Sequence, residues 1–249
     1  MNVIEIQNLT HRFPDGSLGL DHIDLTIRAG SFVLITGENG SGKTTLLKHL
    51  NGLLFPTTGS VIIDGKRVSE DPLHARQAVG LVFQNPDTQI VGETVSEDVA
   101  FGPENLRLDR NEIEKRTHDV LTILKLLPLA SQRPHLLSGG EKRRLAIAGV
   151  LAMKPKVLAL DEPFSSLDYP GTKQVLKQIL SLHESGHTIV MTSHDIEKIA
   201  AHAERVLVMK KGKVALDGPP DQVFPDLERF GVRPPCALRW GKPLESWLI

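Results

Sequence analysis

The chain has 249 residues, 40% hydrophobic and only 4% aromatic, with 29 basic and 30 acidic side chains and a formal net charge of −1. That length suits one large α/β domain or two small ones, and the balanced charge gives no whole-protein field for nucleic acid or an anionic membrane. One cysteine, Cys236, rules out an intrachain disulfide and fits a reducing cytosol; no signal peptide is expected, and no apolar run reaches the ~18 residues that span a bilayer.

Ile23, Leu25 and Ile27 alternate with Asp24, Thr26 and Arg28, which predicts a half-buried strand. The unbroken apolar run at 31–36 (SFVLIT) predicts a strand covered on both faces, with a helix over 44–52 after it. Val61–Ile63 and Lys66–Val68 flank Asp64-Gly65 as a tight hairpin. Buried strands are expected at Val79–Phe83, Val157–Leu160 and Thr188–Thr192, and a last hairpin at Arg205–Met209 and Val214–Leu216. Between about 87 and 155 the strand signals stop. There Asp109 and Glu112 suggest a capping box, and Ile113, Val120, Leu121, Leu124 and Leu127 keep helical spacing. This is an α/β pattern with a mostly parallel sheet and an inserted helical subdomain. Beyond Gly218, frequent prolines break the chain, so 1–218 reads as the main domain and 219–249 as an extension.

Gly37-Glu38-Asn39-Gly40-Ser41-Gly42-Lys43-Thr44 fits G-x-x-x-x-G-K-[ST] between a predicted strand and a predicted helix, with Thr45 next in that helix. The glycines let backbone N–H groups turn toward phosphate oxygens, and the helix start adds its positive dipole end. Lys43 is expected on the β- and γ-phosphates of ATP, and Thr44 on Mg²⁺. The strand at 157–160 ends in Asp161-Glu162 at the carboxyl edge, where α/β sheets bind ligands. Asp161 suits Mg²⁺, and Glu162 suits the general base for an attacking water.

A second anion site is suggested by Ser138-Gly139-Gly140-Glu141 opening a helix. The run Leu137–Arg144 (LSGGEKRR) resembles the signature of ATP-binding-cassette (ABC) ATPases. That resemblance covers nearly the whole chain. It implies a P-loop core with an N-terminal antiparallel β subdomain, and two cassettes packed head to tail with each ATP between one P-loop and the other chain's signature. Gln84 matches the glutamine that joins the Mg²⁺ and water site to the helical subdomain. Ser165-Ser166-Leu167-Asp168 matches the D-loop, His194 the histidine at the γ-phosphate, and Phe13 the aromatic that stacks on adenine. Glu141 stands where glutamine is commoner, and little effect is expected of it.

The stretches 82–91 (VFQNPDTQIV) and 95–106 (VSEDVAFGPENL), with Phe230-Gly231-Val232-Arg233-Pro234-Pro235, look like the ATPases of energy-coupling-factor (ECF) transporters for cobalt, nickel or vitamins. The resemblance implies a peripheral protein on the cytoplasmic face of the cell membrane. Its partners would be a second ATPase chain, a transmembrane coupling subunit and a substrate-binding membrane subunit, with the 219–249 extension helping to hold the dimer. Another ABC transporter type and a non-transport ABC ATPase stay open as alternatives. A DNA-maintenance ATPase would need a long coiled coil, for which 87–137 has no room, and a ribosome-associated cassette usually has two P-loops per chain. Nucleic acid is not an expected partner, because Lys142-Arg143-Arg144 is read as the outer face of a helix with no aromatic interleaving.

Overall fold

A computed structural model describes residues 1–248. In chain order its strands are β1 (Asn2–Arg12), β2 (Leu18–Arg28), β3 (Phe32–Thr36), β4 (Thr58–Ile63), β5 (Lys66–Arg67), β6 (Val79–Val82), β7 (Val157–Asp161), β8 (Thr188–Thr192), β9 (Arg205–Lys210) and β10 (Lys213–Gly218). The principal helices are α1 (Lys43–Leu50), α2 (Pro72–Ala78), α3 (Val95–Asn105), α4 (Arg110–Ile123), α5 (Gly139–Leu151) and α6 (Tyr169–Glu184). One sheet is antiparallel, in the order β2-β1-β4-β5. The other runs β10-β9-β3-β8-β7-β6 and is parallel except for β10.

Alternation along β3 shows how the layers stack. Phe32 and Leu34 join one apolar cluster with α3 to α6, while Val33 and Ile35 join another with the antiparallel sheet and α1. The parallel sheet is therefore the middle of three layers, covered on both faces, which is why its strands read as unbroken apolar runs. Among the described residues no strand lies between Val82 and Val157. Both tight hairpins form as expected: Asp64-Gly65 and Lys211-Gly212 adopt positive φ at both turn residues (49° and 80°; 48° and 79°), the turn that matches strand twist.

Several expectations need correction. Strand β1 escapes the alternation test because its register slips between Ile6 and Leu9, at Asn8 with φ 50°, so the apolar positions change phase. Helix α4 stops at Ile123: Lys125 takes φ 55°, and Leu127 sits in a separate turn, 39% exposed, rather than continuing the helical stripe. Asp109 accepts the Glu112 N–H at 3.0 Å, but the box is half made, because the Glu112 carboxylate turns to Arg116 (2.6 Å) and Lys154 (3.2 Å). Reciprocal boxes form instead at Thr94/Glu97, opening α3, and at Ser138/Glu141, opening α5. The cluster Lys142-Arg143-Arg144 is not an outer face: Arg143 and Arg144 are buried, and Lys142 pairs with Asp87 at 2.8 Å.

Between the antiparallel sheet and α1 lie two buried histidines, with rings 4.7 Å apart. His49 Nδ1 donates to Thr45 O at 2.8 Å and His11 Nδ1 to Phe55 O at 3.1 Å, because a carbonyl can only accept. Burial holds His49 below the ordinary histidine range; the backbone carbonyl of Thr45 opposes, and His11 adds to the depression. A depressed folded value means that the unfolded chain binds protons first as pH falls below about 6.5. Stability from this site is fully present above that pH and drains away below it, down to the folded value. His202 is depressed in the same direction by burial. Thermal unfolding between pH 5.5 and 7.5 is therefore expected to show a Tm that falls on acidification, with a flatter slope in His49→Leu than in the wild type. Equal slopes would remove His49 as a source.

Candidate active site

The carboxyl ends of four adjacent parallel strands bring the chemistry together. β3 leads into the glycine loop, β8 into Ser193 and His194, β7 into Asp161 and Glu162, and β6 toward Gln84. Glycine is required in the loop itself: Gly37 and Gly42 have φ of 140° and 106°. A Cβ on Gly37 would lie 2.2 Å from Met209 O, and one on Gly42 2.8 Å from Gly19 O. Lys43 is 7% exposed, and its Nζ donates to Gly37 O (2.8 Å) and Glu38 O (3.0 Å) at the back of the loop. Burial pushes its ammonium down from the usual lysine range, while the carboxylates of Glu162 and Asp161 oppose. A buried cation held on carbonyls alone suits an anionic ligand.

Asp161 Oδ2 accepts from Thr44 Oγ1 at 2.7 Å, and Oδ1 from Thr192 Oγ1 at 2.6 Å. Adjacent oxygens of an octahedral Mg²⁺ shell lie about 3 Å apart, so the Thr44–Asp161 pair fits that hard cation. Glu162 occupies the left-handed region at φ 48°, a strained position for a side-chain-bearing residue. It is held there on both sides. Its N–H donates to Thr192 Oγ1 (3.0 Å), the His194 N–H donates to Oε1 (2.9 Å), and His194 Nδ1 lies 2.9 Å from Oε2.

These groups line one cavity of about 480 Å³, the size of a nucleotide pocket. Phe13 lines it together with Asn39, Gly40 and Gly42 to Thr45 of the loop and with Gln84, Asp161, Glu162 and His194. Ser41 does not line the cavity, and its Oγ is buried without a partner. Two lining residues were missed in the sequence. Leu18, 39% exposed, forms an apolar wall beside Phe13, and a Cβ on Gly19 would lie 2.8 Å from the Phe13 ring. A glycine inside strand β2, next to an exposed leucine, was the available signal.

Ser138–Glu141 and Ser165–Asp168 do not line that cavity. Gly139, Ser165, Ser166 and Leu167 border a second cleft of about 470 Å³, and Gln84 is common to both. Ser138 Oγ donates to Glu141 Oε2 at 2.7 Å, and the Ser138 N–H to the same oxygen at 2.8 Å. These bonds hold the Glu141 carboxyl below its usual range. Asp168 caps α6 by accepting the Gly171 N–H at 2.8 Å.

A glycine loop between strand and helix, with a buried lysine and a strand-end Asp–Glu pair facing it, defines a P-loop nucleoside-triphosphatase. More narrowly, the chain belongs to the ABC transporter family, which it matches over residues 20–165, and it is an ATP-binding ATPase of that family. It is 44% identical to the energy-coupling factor transporter ATP-binding protein EcfA of Methanocaldococcus jannaschii, over 92% of this chain and 83% of that one. Identity to EcfA of Methanothermobacter thermautotrophicus is 46%, over 91% and 74%. Among solved structures, CbiO1 of Clostridium perfringens, part of the ABC transporter complex CbiONQ, superposes with a TM-score of 0.83 at 37% identity, covering 92% of each chain. A dimeric ATP-binding cassette in a post-hydrolysis state with ADP and Pi superposes at 0.78 with 30% identity, covering 87% of this chain and 98% of that one.

Proposed function

We propose that this ATPase energises a membrane importer of the ECF type, carrying cobalt or nickel ions or a vitamin, from the cytoplasmic face of the membrane. The likeness to EcfA and CbiO1 carries the reading. Among the described residues no helix is long and apolar enough to cross a membrane, and in this reading partner subunits carry the contact with the bilayer. Those partners are a transmembrane coupling subunit and a substrate-binding membrane subunit.

Two chains pack head to tail, each ATP lying between the P-loop of one and Ser138–Gly140 of the other. Supporting this, the signature lies outside the chain's own nucleotide cavity, and a related cassette is dimeric. Phe13 stacks on adenine, the loop N–H groups and Lys43 hold the phosphates, and Glu162 takes a proton from the attacking water. His194 orients Glu162 and reaches the γ-phosphate. Thr44, Asp161 and Gln84 would hold Mg²⁺, which when bound neutralises charge on the β- and γ-phosphates. The insertion at about 87–155 serves as the helical subdomain, and 219–249 as a dimer contact.

The segment after Gln84 is built to transmit. Gln89 pins it to the edge of β6 that no other strand pairs with, accepting from the Phe83 N–H (3.0 Å) and donating to Leu81 O (3.2 Å). Asp98 Oδ1 holds its far end through the N–H groups of Val91 (2.7 Å) and Gly92 (2.9 Å). Thr88, just before the first pin, and Val91, at the second, face solvent, Val91 at 61% exposure, beside a groove that includes Glu93 and Arg133. Thr88→Arg and Val91→Asp are expected to cut co-purification with membrane subunits, and cargo uptake, by about tenfold or more, the loss of roughly 1.4 kcal/mol at an interface. ATPase activity of the isolated chain is expected to stay within about twofold. Parallel loss of both activities would count against a docking role.

A further inference from the structure

Arg143 lies in the second turn of α5 and is only 2% exposed. Its Nη1 donates to Phe83 O at 2.7 Å, and its Nη2 to Gln84 O at 2.7 Å and Ser165 Oγ at 3.2 Å. The Ser165 N–H in turn donates to Glu162 O at 3.1 Å. One guanidinium therefore joins three pieces: the helix that begins at Ser138, the exit of β6 that presents Gln84, and the strained turn that carries Glu162.

The nature of this contact argues for more than packing. Each of the three partners is a neutral oxygen, and Arg143 Nε is buried with no partner. Burial lowers the proton affinity of the guanidinium, and only the more distant Asp161 carboxylate opposes. Burying a cation on carbonyls and one hydroxyl is costly, and apolar residues of similar volume often replace such groups without loss of stability. An unbranched apolar side chain would fill the same space, so filling space does not account for arginine here.

The geometry points to Arg143 as a positioning residue for hydrolysis, holding Gln84 and the Glu162 turn in register with each other and with the helix that carries the signature. This rests on the roles proposed above for Gln84 and Glu162. Releasing the guanidinium frees the backbone at Gln84 and at the D-loop while leaving the P-loop, where ATP binds, untouched. Turnover falls and nucleotide binding does not.

The test uses the purified full chain. Arg143→Met is expected to lower kcat about 10- to 100-fold, the range for a displaced catalytic geometry, with KM for ATP within about threefold. Arg143→Lys, which keeps a donor for the carbonyls, is expected to recover at least about threefold of that loss. A folded Arg143→Met with wild-type kcat overturns the role, as does a fall in kcat and nucleotide binding together that lysine fails to rescue. If Arg143→Met does not fold, Arg143→Lys and Ser165→Ala decide: each is expected to lower kcat at unchanged KM, with the double variant no worse than the more impaired single. Wild-type kcat in both singles overturns the role. Glu162→Gln, assayed alongside, separates the two levels. Normal turnover there overturns the site reading, and this role with it. Stalled turnover there beside full activity in Arg143→Met overturns this role alone.

Discussion

Glu162→Gln is expected to bind Mg-ATP as well as the wild type or better, and to turn over at least about 100-fold more slowly, the lower range for loss of a positioned general base. The substitution is close to silent in shape. Glutamine keeps an oxygen to accept the His194 N–H, now at 2.9 Å, and its backbone keeps the two Thr192 contacts that hold φ at 48°. What it loses is basicity, and with it one negative charge from beside Lys43 in the cavity that the glycine loop lines. Removing that charge lowers repulsion toward a γ-phosphate, so affinity is not expected to fall. With hydrolysis stalled, the ATP-bound dimer accumulates and elutes earlier in size-exclusion chromatography. Lys43→Ala serves as the contrast, losing most nucleotide affinity. Turnover near the wild-type rate in Glu162→Gln would take Glu162 out of the mechanism.

The gathering of the candidate site's residues into one cavity was the most legible part of the sequence, and the reason is physical. Backbone approach to phosphate, a strand covered on both faces and a carboxylate at a strand end all demand particular residues at particular spacings. Gly37 and Gly42 have no tolerated substitute where a Cβ would strike Met209 O or Gly19 O. The six-stranded sheet followed from runs such as 31–36, because covered strands are apolar throughout. Strand β1 was lost because a bulge at Asn8 reverses the phase of its alternation, which a periodicity test cannot follow. Arg143 and Arg144 were misplaced for a different reason. A charged triplet reads as solvated surface unless its partners are known, and Arg143's partners are carbonyls some 60 residues away in sequence. Glu141, expected to behave much as glutamine would, accepts both the hydroxyl and the N–H of Ser138, a pair of bonds that a glutamine oxygen can also accept.

That contact bears on the second large effect, expected when two disabled chains are mixed. Lys43→Ala removes the cation of a chain's own P-loop but leaves its signature free to serve a partner. Ser138→Arg places a long cation where the signature would meet a partner's nucleotide, and leaves the P-loop of its own chain intact. The signature sits outside the chain's own cavity, on the side of the second cleft. Each variant homodimer then holds two broken sites. A mixed dimer pairs the good P-loop of one chain with the good signature of the other, giving one intact site and one doubly broken site. Hydrolysis that needs both sites at once would hide this, so occluded ATP is the safer readout, with Glu162→Gln added to both chains. Shared sites predict about one ATP per mixed dimer and almost none in either homodimer, whereas sites completed within one chain predict no gain on mixing. Mixed dimers verified by two affinity tags that still occlude nothing would sink the shared site.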